Sequence, residues 1–144
     1  MSDNKKFETS AIRGQMDRTQ YGEHSAPVFL TSSFTFSSAE EMAAAFAGER
    51  DDIIYSRYSN PNTDEFIQKI CTLEGVEDGF ATASGMSAVF AGIAAFLRAG
   101  DHVLASRALF GSTHQILTQL LPRWGIEHTY VDSTKIDQWE QHIR

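Results

Sequence analysis

The chain has 144 residues, 42% of them hydrophobic, which is enough for one domain of ordinary size with a real core. Its 12 basic and 19 acidic residues give a net charge of −7 and a pI near 5.1, which excludes a phosphate-backbone binder, whose affinity needs a basic face. One cysteine, Cys71, excludes an intrachain disulfide and a thiolate metal cluster, and a cytosolic protein that handles small molecules fits the balance.

In chain order, the N-terminus MSDNKKFETSAIRGQ has no apolar h-region and no cleavage signature. Met1 to Ala26 shows little sustained periodicity. "APVFLTSSFTFSS" mixes β-branched and aromatic residues with hydroxyls and permits short extended pieces. A short helix follows, with Ser38 as cap, Glu40 and Glu41 in its first turn and Gly48 just past its end. Residues 1–60 offer too little continuous apolar surface for a core of their own. They are expected to form an N-terminal arm that lies on the rest of the chain or on a partner subunit.

From residue 61 to 144 the pattern becomes regular. A helix is predicted over Asp64–Glu74, capped by Asn62 or Thr63 and ended by Gly75. A strand follows near Gly79–Ala83, then a helix from Gly85 to Ala99 closed by Gly100. His102–Ser106 reads as a strand, Thr113–Trp124 as a helix stopped at Gly125, and Ile126–Asp132 as a further strand. Thr134–Arg144 begins a helix with no terminator, which suggests the front portion of a longer protein. This β-α-β-α-β-α run predicts an α/β fold with a mainly parallel sheet and helices on its faces. The longest apolar stretch, Ser87–Leu97, falls short of the roughly 20 residues that span a bilayer. Cys71 lies in an apolar helical pattern and reads as inert packing. Five histidines without a ligand-like cluster predict no metal site.

Three places could carry chemistry. In "FATASGMSAVF" a strand of small residues leads into Ser84, Gly85 and Met86 at a helix start. The first amides of a helix lack intrahelical partners and the dipole favours an anion there, while glycine admits close approach. Ser84 and Ser87 could add hydroxyls. A phosphate would fit, and an ordinary serine-capped helix fits equally well. In "YSRYSNPNTDEF", Tyr55 and Arg57 would point the same way in an extended segment and could clamp a phosphate. Taken locally, a solvated loop arginine is the simpler reading. In "ALFGSTHQ", Phe110 follows a strand at the expected binding edge. It could stack on a planar ligand, although core packing is the simpler local reading.

Taken together, Tyr55-Ser56-Arg57-Tyr58-Ser59-Asn60-Pro61, Leu73-Glu74-Gly75, Ala83-Ser84-Gly85-Met86, Gly100-Asp101-His102-Val103 and Leu109-Phe110-Gly111-Ser112-Thr113 resemble the Cys/Met-metabolism family of pyridoxal-phosphate enzymes in order and spacing. "APVFLTSSFTF" resembles the family's start. The likeness covers nearly the whole chain, and its joint pattern is far more specific than any single piece.

The resemblance implies a fold-type I transferase domain, three-layered α/β/α, of which this chain holds the arm and the first part. It implies pyridoxal 5'-phosphate as cofactor, an amino-acid substrate, no nucleic-acid or membrane partner, a cytoplasmic location, and a homotetramer built as a dimer of dimers. Gly85 and Met86 would give backbone amides to the cofactor phosphate, beside Ser84. Tyr55 and Arg57 would reach the phosphate of the cofactor bound by the neighbouring subunit. Phe110 stands where many members have a tyrosine stacked on the pyridine ring. It can stack but has no hydroxyl to move a proton. "LFGST" and "YSRYSNP" lean toward the O-succinylhomoserine sulfhydrylase branch, which implies γ-replacement by a sulfur nucleophile. A γ-synthase, a γ-lyase and a non-catalytic phosphate-binding module are the alternatives. Asn62, where a threonine is common, reads as a helix-cap change. The family's cofactor-anchoring Schiff-base lysine is expected to be absent, since Lys135 in "DSTKI" comes too early, so the 144 residues alone should be inactive.

Overall fold

The computed structural model describes residues 6–14 and 18–144. They form two compact units, one ending at Ala81 and one running from Thr82 to Arg144.

The first unit holds α1 (Phe7–Arg13), α2 (Ala39–Phe46) and α3 (Pro61–Glu74). Helix α1, which the sequence pattern does not announce, is one short segment packed on α3 without a side-chain cap. Helix α2 is capped as expected: the Ser38 hydroxyl accepts the Glu41 amide, and Gly48 takes a positive φ of 72° just past the end. The cap of α3 is Asn60, not Asn62 or Thr63. Its side chain accepts the Asn62 amide, and Pro61 fills the first helical position, where a missing N–H costs nothing. Asn62 is therefore not a cap. Its carboxamide oxygen accepts the Phe29 amide at 2.7 Å and its nitrogen donates to the Pro27 carbonyl at 2.7 Å, clasping the arm to α3. Asn60 adds a bond from its nitrogen to the Phe29 carbonyl. The extended pieces of the arm reduce to one antiparallel bridge, Ser33 to Tyr55. Cys71 is buried on α3, facing Gly79.

The second unit begins with α4 (Gly85–Ala94) and continues with β1 (His102–Ser106), α5 (Gly111–Gln115), β2 (Glu127–Val131) and α6 (Ile136–His142). Strands β1 and β2 pair in parallel, His102 opposite Glu127 through Ser106 opposite Val131. The strand expected near Gly79–Ala83 does not form. A strand needs a ladder, and these residues have none among the described residues. Helix α4 ends five residues earlier than expected, at Ala94 rather than Ala99.

The helix expected over Thr113–Trp124 starts at Gly111 and changes pitch. It widens to a π-turn over Ile116–Leu120 and tightens to 3-10 over Leu121–Trp124. Pro122 explains the change: it donates no N–H, and its ring would strike the carbonyl four residues earlier in a regular helix. Gly125 then ends the run at φ 72°. The core consists of Ile116, Leu117, Leu121 and Ile126, with Met86, Phe90, Ile93 and Val103 packed around it. No helix of the described residues is long and apolar enough to cross a membrane.

Candidate functional site

In the second unit the candidate site is built at the start of α4. Ser84 is extended and its hydroxyl accepts the Ser87 amide at 3.1 Å, so one orphan donor of the helix is satisfied internally. The Gly85 and Met86 amides find no acceptor among the described residues, as expected of first-turn donors. Ser84 and Ser87 hydroxyls lie 2.9 Å apart. One O–H is used in that pair and the other remains to be donated. A Cβ placed on Gly85 would meet nothing within 4 Å, so no other part of the described chain crowds the backbone at this helix start. The Met86 side chain, by contrast, packs against the core and fixes the helix start from behind. Two amides and a hydroxyl facing open space at a positive helix end form a donor set for an anion.

Phe110 is the residue before α5 and is 72% exposed, so it does not pack into the core of this unit. Its carbonyl holds the His114 amide at 3.0 Å, while its ring is left free at the exit of β1. Helices α4 and α5 touch, which puts the anion donors and the ring in the same unit. His114 stacks on Tyr130, and the Tyr130 hydroxyl meets His114 Nδ1 at 2.8 Å; this pair supports α5 against β2. Lys135 precedes α6, its amine 4.0 Å from Asp132 at the exposed surface. No group of three or more His, Cys, Asp or Glu able to hold a metal occurs among the described residues.

In the first unit, Tyr55 and Arg57 do come together, but through a turn and not an extended segment. The Tyr55 carbonyl accepts the amides of Tyr58 at 2.9 Å and Ser59 at 3.2 Å. Ser56 points back, its hydroxyl bonded to the Thr31 carbonyl and to the Asn60 carboxamide. The Arg57 guanidinium carbon lies 4.9 Å from the Tyr55 ring centre and 5.2 Å from that of Tyr58. Such contacts are weak at exposed sites, where water competes for the cation. Hydrogen bonding to Tyr58, then the charge of the two phenols, pushes the Arg57 pKa further up. The group is a permanent cation either way, and it is exposed. Tyr58 was missing from the sequence-derived set; the YSRY spacing was its signal.

An α/β edge with backbone donors for an anion and a ring for a planar group suits enzymes that hold a phosphorylated aromatic cofactor. The comparisons with known proteins agree on the family. The chain belongs to the Cys/Met metabolism PLP-dependent enzymes, whose family model matches residues 8–144. It is 42% identical over 135 residues to the O-succinylhomoserine sulfhydrylase of Mycobacterium tuberculosis, covering 94% of this chain and 33% of that protein. It is 38% identical over 138 residues to the L-methionine gamma-lyase of Porphyromonas gingivalis, covering 96% of this chain and 35% of that protein. A crystal structure of a Campylobacter jejuni protein assigned as an O-acetylhomoserine (thiol)-lyase superposes with a TM-score of 0.91 at 30% identity, over 98% of this chain and 35% of that one. That structure contains N'-pyridoxyl-lysine-5'-monophosphate. The fold is thus that of PLP-dependent fold-type I enzymes, and the chain spans about a third of the length of these relatives.

Within the second unit the residues present suit the family's cofactor: backbone amides and a hydroxyl could meet a phosphate, and an exposed ring could meet a pyridine.

Proposed function

We propose that this chain is the N-terminal part of a PLP-dependent enzyme of methionine biosynthesis that replaces the γ-succinyloxy group of O-succinylhomoserine with sulfide, breaking the Cγ–O bond and forming a Cγ–S bond to give homocysteine and succinate. The observation that carries this reading is the 42% identity to an O-succinylhomoserine sulfhydrylase across 94% of the chain. When bound, the cofactor supplies the electron sink for proton loss at the substrate and departure of its γ-substituent.

The residues of this chain bind and orient. The amides of Gly85 and Met86 donate to the phosphate, and the spare hydroxyl of the Ser84–Ser87 pair adds a third donor. Tyr55 and Arg57 bind the phosphate of the cofactor in the neighbouring subunit, which makes the working enzyme a homo-oligomer, a dimer of dimers in the cytoplasm. Phe110 covers one face of the pyridine ring and excludes water from it. It carries no exchangeable proton, so proton transfer at the substrate falls to other groups. Lys135, held near Asp132, is not the cofactor-anchoring lysine in this reading, and the 144 residues alone are inactive.

A second reading, a γ-lyase, is favoured by the 38% identity to a methionine gamma-lyase. Phe110 weighs against it, because lyase mechanisms often assign proton transfer to a tyrosine at that place. Assay of the full-length enzyme separates the two. Homocysteine formed from O-succinylhomoserine and sulfide, faster than from the O-acetyl ester, is expected; thiol release from methionine without sulfide-dependent synthesis would select the lyase. Phe110→Tyr should leave the absorbance of bound cofactor intact.

A further inference from the structure

Arg57 is exposed and long, and an unrestrained arginine must give up many rotamers to meet an anion. Here its guanidinium lies over two rings, 4.9 Å from Tyr55 and 5.2 Å from Tyr58. The two rings are not equivalent. Tyr55 is 36% exposed, and its backbone lies in the bridge with Ser33. Tyr58 is 72% exposed, and among the described residues its side chain has no hydrogen-bond or ring partner other than Arg57. A ring so exposed buries little apolar surface against the described residues of this chain. The turn that presents it is closed by the Tyr55 carbonyl and anchored behind by Ser56 and the buried Asn60.

We propose that Tyr58 is a positioning residue whose ring face holds the Arg57 guanidinium ready for the phosphate of the bound cofactor. The inference rests on the reading of Arg57 as a phosphate clamp. It assigns the effect to the ring face under the guanidinium, and Tyr58→Phe separates this from the hydrogen bond to the phenol hydroxyl.

The test uses the full-length protein, stripped of cofactor and titrated with pyridoxal 5'-phosphate, with the melting temperature of each apoprotein measured alongside. Arg57→Ala should weaken binding by about ten- to a hundredfold, as for loss of a charged hydrogen-bond donor. Tyr58→Leu should weaken it by about two- to fivefold with the apoprotein melting temperature unchanged, and Tyr58→Phe should bind as the parent does. Tyr58→Leu added to Arg57→Ala should cost nothing more, because its partner is gone. Parent-like binding by Arg57→Ala would overturn the clamp itself. Impaired Arg57→Ala with parent-like Tyr58→Leu would overturn the positioning role alone. Additive losses in the double variant, a lowered apoprotein melting temperature, or failure of Tyr58→Phe to bind normally would likewise overturn it.

Discussion

Among the described residues of the first unit, only Ala45, Cys71 and Asn60 are buried, and one of the three is polar; in the second, Ile116, Leu117, Leu121, Ile126 and Val131 are buried and all are apolar. The second unit is positioned by packing around one cluster. The segment leading to Arg57 is positioned by directional bonds: Asn60 to Phe29 and Ser56, Asn62 to Phe29 and Pro27, Ser56 to Thr31. Packing tolerates small volume changes but resists large ones, whereas a polar clip either has its partner or loses it. The anion donors of α4 therefore stand on a stiff apolar base, and the arginine stands on a net of hydrogen bonds.

The contrast breaks most visibly at Leu121, which is fully buried. Leu121→Ala should cost about 2–5 kcal/mol and lower the melting temperature of the full-length protein. Asn60→Ala should cost less, about 1–3 kcal/mol, because it leaves the Phe29 carbonyl and the Asn62 amide without their partner. Its signature is local: faster hydrogen exchange at residues 29–34 and 54–62, with the amides around Leu117 and Leu121 unchanged. Exchange that rises equally in both regions would show that the two kinds of support are not separate. Ser38→Ala should have the smallest effect, about 1 kcal/mol, since it removes one helix cap at an exposed site.

The sequence was most informative where the signal is local. Ser38 and Ser84 cap the helices expected of them, Gly75 and Gly125 end theirs in the left-handed region, and His102–Ser106 is a strand to the residue. It was least informative where structure depends on partners distant in the chain. Residues 79–83 have strand-like composition but no ladder. Asn62 looks like a cap and is a clasp to residues 27 and 29, a role that spacing along one helix cannot express. The cap is Asn60, two residues earlier and directly before a proline. The family match, and with it the fold and the cofactor class, followed from several weak motifs in fixed order. The exposure of Phe110 did not, because an aromatic residue beside a strand end usually packs inward.

Gly85 has a consequence for engineering. A methyl group there would meet nothing within 4 Å among the described residues beyond its own helix turn and would strain no dihedral, since its φ is not among the positive ones. The described part of the fold therefore has room for alanine at this position, and a helical site favours it slightly. In the proposed function, Gly85→Ala therefore separates two demands normally entangled in one residue: a loss of cofactor affinity at unchanged stability would report the room a phosphate needs at this helix start.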